Sequence, residues 1–404
     1  MYAVYYVYNL FAEQCQQLIG IGIQDVEFSQ LLSGFDNELF RINKEIWQLG
    51  NKARELGLEN LFLATGDNKE LYLKLKENDK GRKWLADYDN FIDRRGWRLE
   101  EFVNHASPSW IEQPWLALRD VKAMLAKGGE FTLDAERERL AKQREETEKK
   151  VLAKVPETQI EWFTTLMKLG QRCSVFSEEH NVYLDMPGEC IQSHIYKEIG
   201  RRFAKAGVID KQEDIWFLLH DEIRKAMIST WQINLRPYVE ERKKEYERNL
   251  SIPFGTELKP PFLGDPSAVP ELAWADPIIR VGGLPPLVRP ELKADLYGCS
   301  SAPGVVEGTA RVVMRAEHLD TIKPGEVLVC PTTDNIWTPA FGIITGVVTD
   351  VGGSLAHAGI VAREYGLPAV IGTHEGTRQI RTGDRIRVDG DMCAVYILTK
   401  RDAS

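Results

Sequence analysis

The sequence predicts a multidomain α plus α/β protein, with a mostly helical N-terminal domain over 1–248, a Pro/Gly-rich hinge linker over 249–295 and a C-terminal β/α domain over 296–404. Three observations carry this. Apolar residues recur at steps of three and four through the first part, the mark of amphipathic helices. From Asn249 the composition turns to proline and glycine, SIPFGTELKPPFLGDPSAVP and then VGGLPPLVRPEL. Beyond it, β-branched runs alternate with glycine turns and one short helical pattern, as in a compact β/α unit.

The 404 residues fit two or three domains, at roughly 100 to 200 residues each. A formal charge of −9 argues against nucleic acid or an anionic membrane as the main partner. No apolar run approaches the roughly 20 residues of a membrane span. The opening MYAVYYVYNLFAEQCQQL has no basic leader and no small-residue cleavage site. Its spaced tyrosines suggest a strand or a buried extended segment. The six cysteines are scattered without metal-ligand spacing, so no metal site is expected, and reduced thiols in a cytoplasm fit best.

In chain order, Leu39, Ile42, Ile46, Leu49, Ala53 and Leu56 mark an amphipathic helix that Gly57 ends. Leu71 to Tyr88 is patterned more weakly, and the basic cluster of Asp93-Arg94-Arg95-Gly96-Trp97-Arg98 beyond it reads as solvated surface. Thr132 to Val155 is dense in charge at helical spacing and stops at Pro156, a long exposed helix with a structural role or a face for a partner. Ile160, Phe163 and Met167 begin another helix. It leads to Phe176-Ser177-Glu178-Glu179-His180-Asn181-Val182-Tyr183-Leu184-Asp185, the densest cluster of functional side chains before the linker. Ile191, Ile195, Ile199 and Phe203 come next, on a helix closed by Gly207. The linker reads either as a long loop or as a semi-stiff tether; the character of the domain beyond it favours a hinge on which that domain travels.

This last domain is organised around Val351 to Gly372, VGGSLAHAGIVAREYGLPAVIG. Ile343 to Thr349 is strand-type and ends in the Gly352-Gly353 turn. Ala358, Val361, Ala362 and Tyr365 form one apolar helical face, with Arg363 and Glu364 elsewhere on the wheel, and Gly366 and Pro368 stop the helix. His357 thus opens a helix whose free N–H groups and dipole suit an incoming dianion. A neutral imidazole is nucleophilic near pH 7. Taken alone, a histidine after a glycine turn is more often a cap or a core hydrogen-bonder.

The surrounding string changes that reading. GG-x-x-x-H-A-x-I-V-A-R-E-x-G-x-P-A-V-x-G resembles the phosphohistidine signature of the swivelling domain shared by phosphoenolpyruvate synthase, pyruvate phosphate dikinase and rifampin phosphotransferase. Ser301 to Ala310, Pro324 to Val329 and Thr332 to Pro339 resemble further segments of that domain, the last lying near the histidine loop in such proteins. Resemblance makes His357 the phosphorylated residue in a loop of Gly352, Gly353, Ser354, Ala358 and Arg363. Ser354 stands where the family often has Met or Arg, and Ala356 where Ser or Cys is common, which removes a neighbouring hydroxyl. The E-x-H-N-x-Y-x-D string around His180 resembles the helical acceptor-binding region of rifampin phosphotransferase and phenylphosphate-synthase-like proteins. There Arg98 matches a Y-G-H-R segment, while Trp97 replaces its histidine.

The resemblance implies a split, dikinase-type phosphotransferase. A separate ATP-grasp subunit would bind ATP and Mg2+, this chain alone binding neither, because no Gly-rich phosphate loop stands in a strand–turn–helix context. His357 would carry the β-phosphoryl group to a small hydroxyl acceptor, a phenol or cresol, with AMP and phosphate as the other products. His180 and Glu178 are the candidates for activating the acceptor hydroxyl, Arg98 for stabilising transferred charge, and Tyr183 for shaping the pocket. The alternative is a phosphocarrier that passes its phosphate to another protein.

Overall fold

The computed structural model describes residues 2–22, 25–101, 104–127, 133–229, 233–250, 290–353 and 356–401. The hinge expected over 249–295 therefore lies almost wholly outside the described residues, as does Ser354. What is described is helical up to Leu250 and, from Pro290, a mixed sheet with helices, the α plus α/β arrangement.

Helices α1 (Tyr2–Ile19), α2 (Val26–Leu31), α3 (Glu38–Glu55), α4 (Glu59–Ala64), α5 (Asn68–Glu77), α6 (Asp79–Arg95), α7 (Leu118–Lys127), α8 (Leu133–Leu152), α9 (Ile160–His180), α10 (Met186–Ala206), α11 (His220–Ile228) and α12 (Arg236–Leu250) make the first part. None of the described helices is long and apolar enough to cross a membrane. The opening segment corrects the extended reading: α1 buries Tyr8, Phe11, Ala12 and Cys15, a three-four-seven spacing that only a helix brings onto one face. The weak Leu71–Tyr88 pattern is weak because it spans two helices, with Asn78 capping α6 through Gly81 N–H. The charged helix α8 is not wholly exposed either. It buries Leu140, Thr147 and Val151, and Thr147 Oγ1 donates to Gln30 Oε1 on α2 at 2.9 Å.

Trp84 shows what holds the α3–α7 core. It is fully buried, stacks on Tyr88 at 4.9 Å, meets Phe62 edge-on and donates from Nε1 to the Leu49 carbonyl at 2.8 Å. Trp84→Ala is expected to cost about 3–5 kcal/mol through the cavity and the orphaned carbonyl, read as a lower urea midpoint of the full chain.

After the linker come β1 (Leu296–Tyr297), β2 (Cys299–Ala302), β3 (Val305–Val312), β4 (Val327–Cys330), β5 (Gly346–Thr349), β6 (Ala369–Ile371), β7 (Arg385–Asp389) and β8 (Ala394–Thr399). They form one sheet in the order β1-β8-β7-β3-β4-β5-β6-β2. The centre, β3-β4-β5-β6, is parallel, and the flanking pairs are antiparallel. All residues of β4, β5 and β6 are buried, which explains their unalternating Val, Leu and Ile runs. The strand expected from Ile343 begins only at Gly346, since Ile343 and Ile344 close a turn on the Ala340 carbonyl. Ligand sites in such sheets gather beyond the carboxyl ends of parallel strands, and the connections after β4 and β5 carry Thr338 and His357 there.

The two parts share apolar cores. Leu39 of α3 packs with Trp337, Phe341 and Tyr365, and Ile360 packs with Phe11, Phe163 and Met167 of the helices.

Candidate functional site

Gly352 makes the turn after β5 with φ of +131°, where any Cβ would come within 2.9 Å of Ile371 and Ala356 side-chain carbons. The chain then enters the histidine helix, His357–Glu364, with Ala356 as an N-cap that makes no side-chain cap bond. Its first N–H groups are therefore not satisfied by a capping side chain.

The imidazole is gripped from both domains. Nδ1 stands 2.9 Å from Glu178 Oε2 near the end of α9, and Nε2 stands 3.3 Å from Thr338 Oγ1, at the start of the short helix Thr338–Phe341 after β4. Phe341 presents to the ring edge-on at 6.2 Å. The side chains of His357 and Glu178 are 10 % and 4 % exposed, so this is a dry contact between a carboxylate and an imidazole. The hydroxyl that Ala356 does not provide comes from Thr338, on another connection.

Asp334 lies at the same seam. Burial pushes its carboxyl up, against the pull of the Ile336 N–H, His357 and Arg98. Arg98 comes from the helical side, buried over the Trp110 ring at 4.4 Å. Burial draws its guanidinium down from the usual arginine range, with Asp120, Glu100 and Asp334 holding it charged.

Of the acceptor-side residues expected from sequence, the structure brings Glu178 to the imidazole and Arg98 to its Asp334 side. His180 stands elsewhere. Its Nε2 pairs with Asp185 at 3.1 Å and its Nδ1 with the Phe176 carbonyl at 3.2 Å. Residues two apart on a helix do not share a face, so α9 cannot present both Glu178 and His180 to one ring. Tyr183 is 59 % exposed and hydrogen-bonded to Glu38, which pushes its phenol up.

In the histidine loop, Gly353 and Ala358 are buried. Arg363 and Glu364, expected off the buried face, are both buried as well, because the helical domain covers the second side of their helix. Arg363 donates to Ser174 Oγ at 3.4 Å and to the Ser301 carbonyl at 3.5 Å. Glu364 accepts the Phe35 N–H at 3.1 Å. Burial raises the Glu364 carboxyl from 4.5 to about 7, against Arg363, Arg144 and the N–H groups of Phe35 and Gly34. The folded state therefore binds this proton more tightly than the unfolded one. Its contribution to stability is complete below pH 4.5 and is lost as pH rises through about 7. Glu364→Gln should flatten that part of a stability-versus-pH curve measured by urea unfolding.

Thr338, Asp334 and Phe341 are not legible individually in the sequence. The resemblance places the segment of Asp334 and Thr338 near the histidine loop, with Phe341 just beyond it, but nothing in the string says which side chains turn inward.

Two parts of the chain around this site are similar to known protein domains. Residues 322–392 match the mobile domain of PEP-utilising enzymes, and residues 1–177 match the rifampicin phosphotransferase fourth domain. In these two parts the chain is similar to proteins of the phosphoenolpyruvate synthase and rifampin phosphotransferase group. Among its relatives, an uncharacterised phosphotransferase, YvkC, of Bacillus subtilis is 27% identical over 93% of this chain and 44% of its own length. Chondramide synthase cmdD of Chondromyces crocatus is 32% identical over 91% of this chain and 10% of its own length. A rifampicin phosphotransferase of Streptomyces sviceus is 28% identical over 87% and 40%. The chain thus spans less than half the length of these relatives.

Proposed function

We propose that this chain is the carrier-and-acceptor part of an ATP-dependent phosphotransferase, with His357 as the group that holds the phosphoryl between two sites. The observation that carries this reading is the contact of His357 Nδ1 with Glu178 Oε2 at 2.9 Å across the two domains. A carboxylate from the helical domain stands where a phosphoryl group on the imidazole would be discharged.

Charging belongs to a separate ATP-grasp subunit, which would hold ATP and Mg2+. Transfer of the β-phosphoryl to the imidazole, with water taking the γ-phosphoryl, gives AMP and phosphate. At the helical domain the acceptor O–H then gives its proton to Glu178 and its oxygen attacks phosphorus. The P–N bond breaks, and its electron pair returns to the imidazole. Such a transfer needs placement and charge stabilisation above all; Arg98 supplies a fixed positive charge on the Asp334 side, and the histidine-helix N–H groups favour the dianion.

The acceptor is a hydroxyl compound with an apolar body, a phenol or cresol. A groove of about 700 Å³ on the helical domain, lined by Trp97, Ile191, Ile195, Ile199, Phe203 and Met227, supports that choice, and Trp97 directly precedes Arg98. The test is to incubate the chain with a candidate ATP-grasp subunit, β-labelled ATP and either phenols or small carrier proteins. Label passing through His357 to a phenol supports the reading. Label chased only onto proteins would replace it with a phosphocarrier.

A further inference from the structure

Asn43 interrupts the apolar face of α3. Leu39, Ile42 and Ile46 surround it in sequence, and it is fully buried. A buried amide is costly unless it is hydrogen-bonded, and this one spends its donors across the domain seam. Nδ2 donates to the Thr338 carbonyl at 3.4 Å and to the Tyr365 hydroxyl.

Those two acceptors bracket the imidazole. Thr338 puts its hydroxyl on His357 Nε2. Tyr365 comes directly after the last turn of the histidine helix and packs edge-on against Phe341 at 6.2 Å, and Phe341 in turn packs edge-on against His357. One side chain of the helical domain thus reaches both walls of the seat in which the imidazole meets Glu178.

We propose that Asn43 is a positioning residue that couples docking of the histidine domain to placement of the imidazole. Its two hydrogen bonds form together when the domain is seated, and they fix the Thr338 segment and the Tyr365–Phe341 wall at the distance that delivers His357 to Glu178. Asn43 touches neither the phosphoryl group nor the acceptor. This rests on the reading that His357 is a carrier that leaves the helical domain.

The test uses the full chain and two small reagents. His357 is 10 % exposed when seated, so diethyl pyrocarbonate reaches its ring chiefly from the unseated state, and exposed His318 serves as an internal control. Tyr365→Phe, which loses one hydrogen bond, should speed carbethoxylation of His357 by roughly fivefold to tenfold, and Asn43→Ala, which loses both, by at least as much. The double variant should react no faster than the quicker single one, and His318 should not change. Tyr365→Phe keeps the core volume, so the inference stays open to refutation if Asn43→Ala does not fold. Wild-type reactivity in the single variants, or effects that multiply in the double, would overturn it. A parallel run with potassium phosphoramidate separates the two readings. If wild-type His357 takes no phosphoryl group while the carbethoxylation pattern holds, the carrier reading fails and the coupling through Asn43 stands.

Discussion

His357→Ala should leave no acid-labile phosphoprotein and no phosphorylated acceptor when the chain is assayed with a candidate ATP-grasp subunit, ATP and a phenol. The expected loss is on the order of 10⁴-fold or more, because in the proposed mechanism removing the group that forms the covalent intermediate removes the route itself. Phosphorus NMR of the reaction mixture reads it directly. His357→Gln sharpens the result, since a carboxamide can still hydrogen-bond Glu178 and Thr338 yet cannot carry the phosphoryl group. Both variants should fail alike. Turnover in either at the wild-type rate would mean that phosphate passes between substrates without stopping on this ring.

The second large effect is expected at Glu178. Glu178→Gln preserves volume and a hydrogen-bonding oxygen but removes the proposed proton acceptor, and discharge to the hydroxyl compound should slow by roughly 10²- to 10⁴-fold. Charging should be unaffected if, as proposed, it takes place with the histidine domain away from the helical domain that carries Glu178. The measurement is single-turnover: load His357, then track the loss of label with and without acceptor. Equal slowing of loading and discharge would assign Glu178 to the upkeep of the histidine domain in general. His180→Ala offers the contrast, since its ring pairs with Asp185 and not with His357; its effect on discharge should be small.

How much of this is written in the string differs from residue to residue. The histidine loop is legible because its demands are local: a glycine where the backbone takes a positive φ, a nucleophile at the first helical residue, an apolar face behind it. Helix α3 is legible for the same reason, from one unbroken spacing. The acceptor side is half legible. The Glu178–His180 cluster can be found by its density, but only the phase of α9 decides which of the two reaches the ring, and phase depends on which face the fold buries. Sequence reasoning misplaces Arg363 and Glu364 because a helical wheel shows one apolar face and cannot reveal that a second body covers the other. Asn43 carries a signal, a polar residue inside an apolar stripe, but its partners lie about 300 residues away, at 295 and 322 positions along the chain.

The histidine helix has no water-facing side to spare: Ala358 through Glu364 are all buried where it now rests. A body so dressed does not wander cheaply. Each departure strips Ile360, Arg363 and Glu364 of their company unless another host offers comparable lodging. A shuttle of this build would trade berths rather than drift between them, and its pace would then quicken with the abundance of whatever protein provides the second berth.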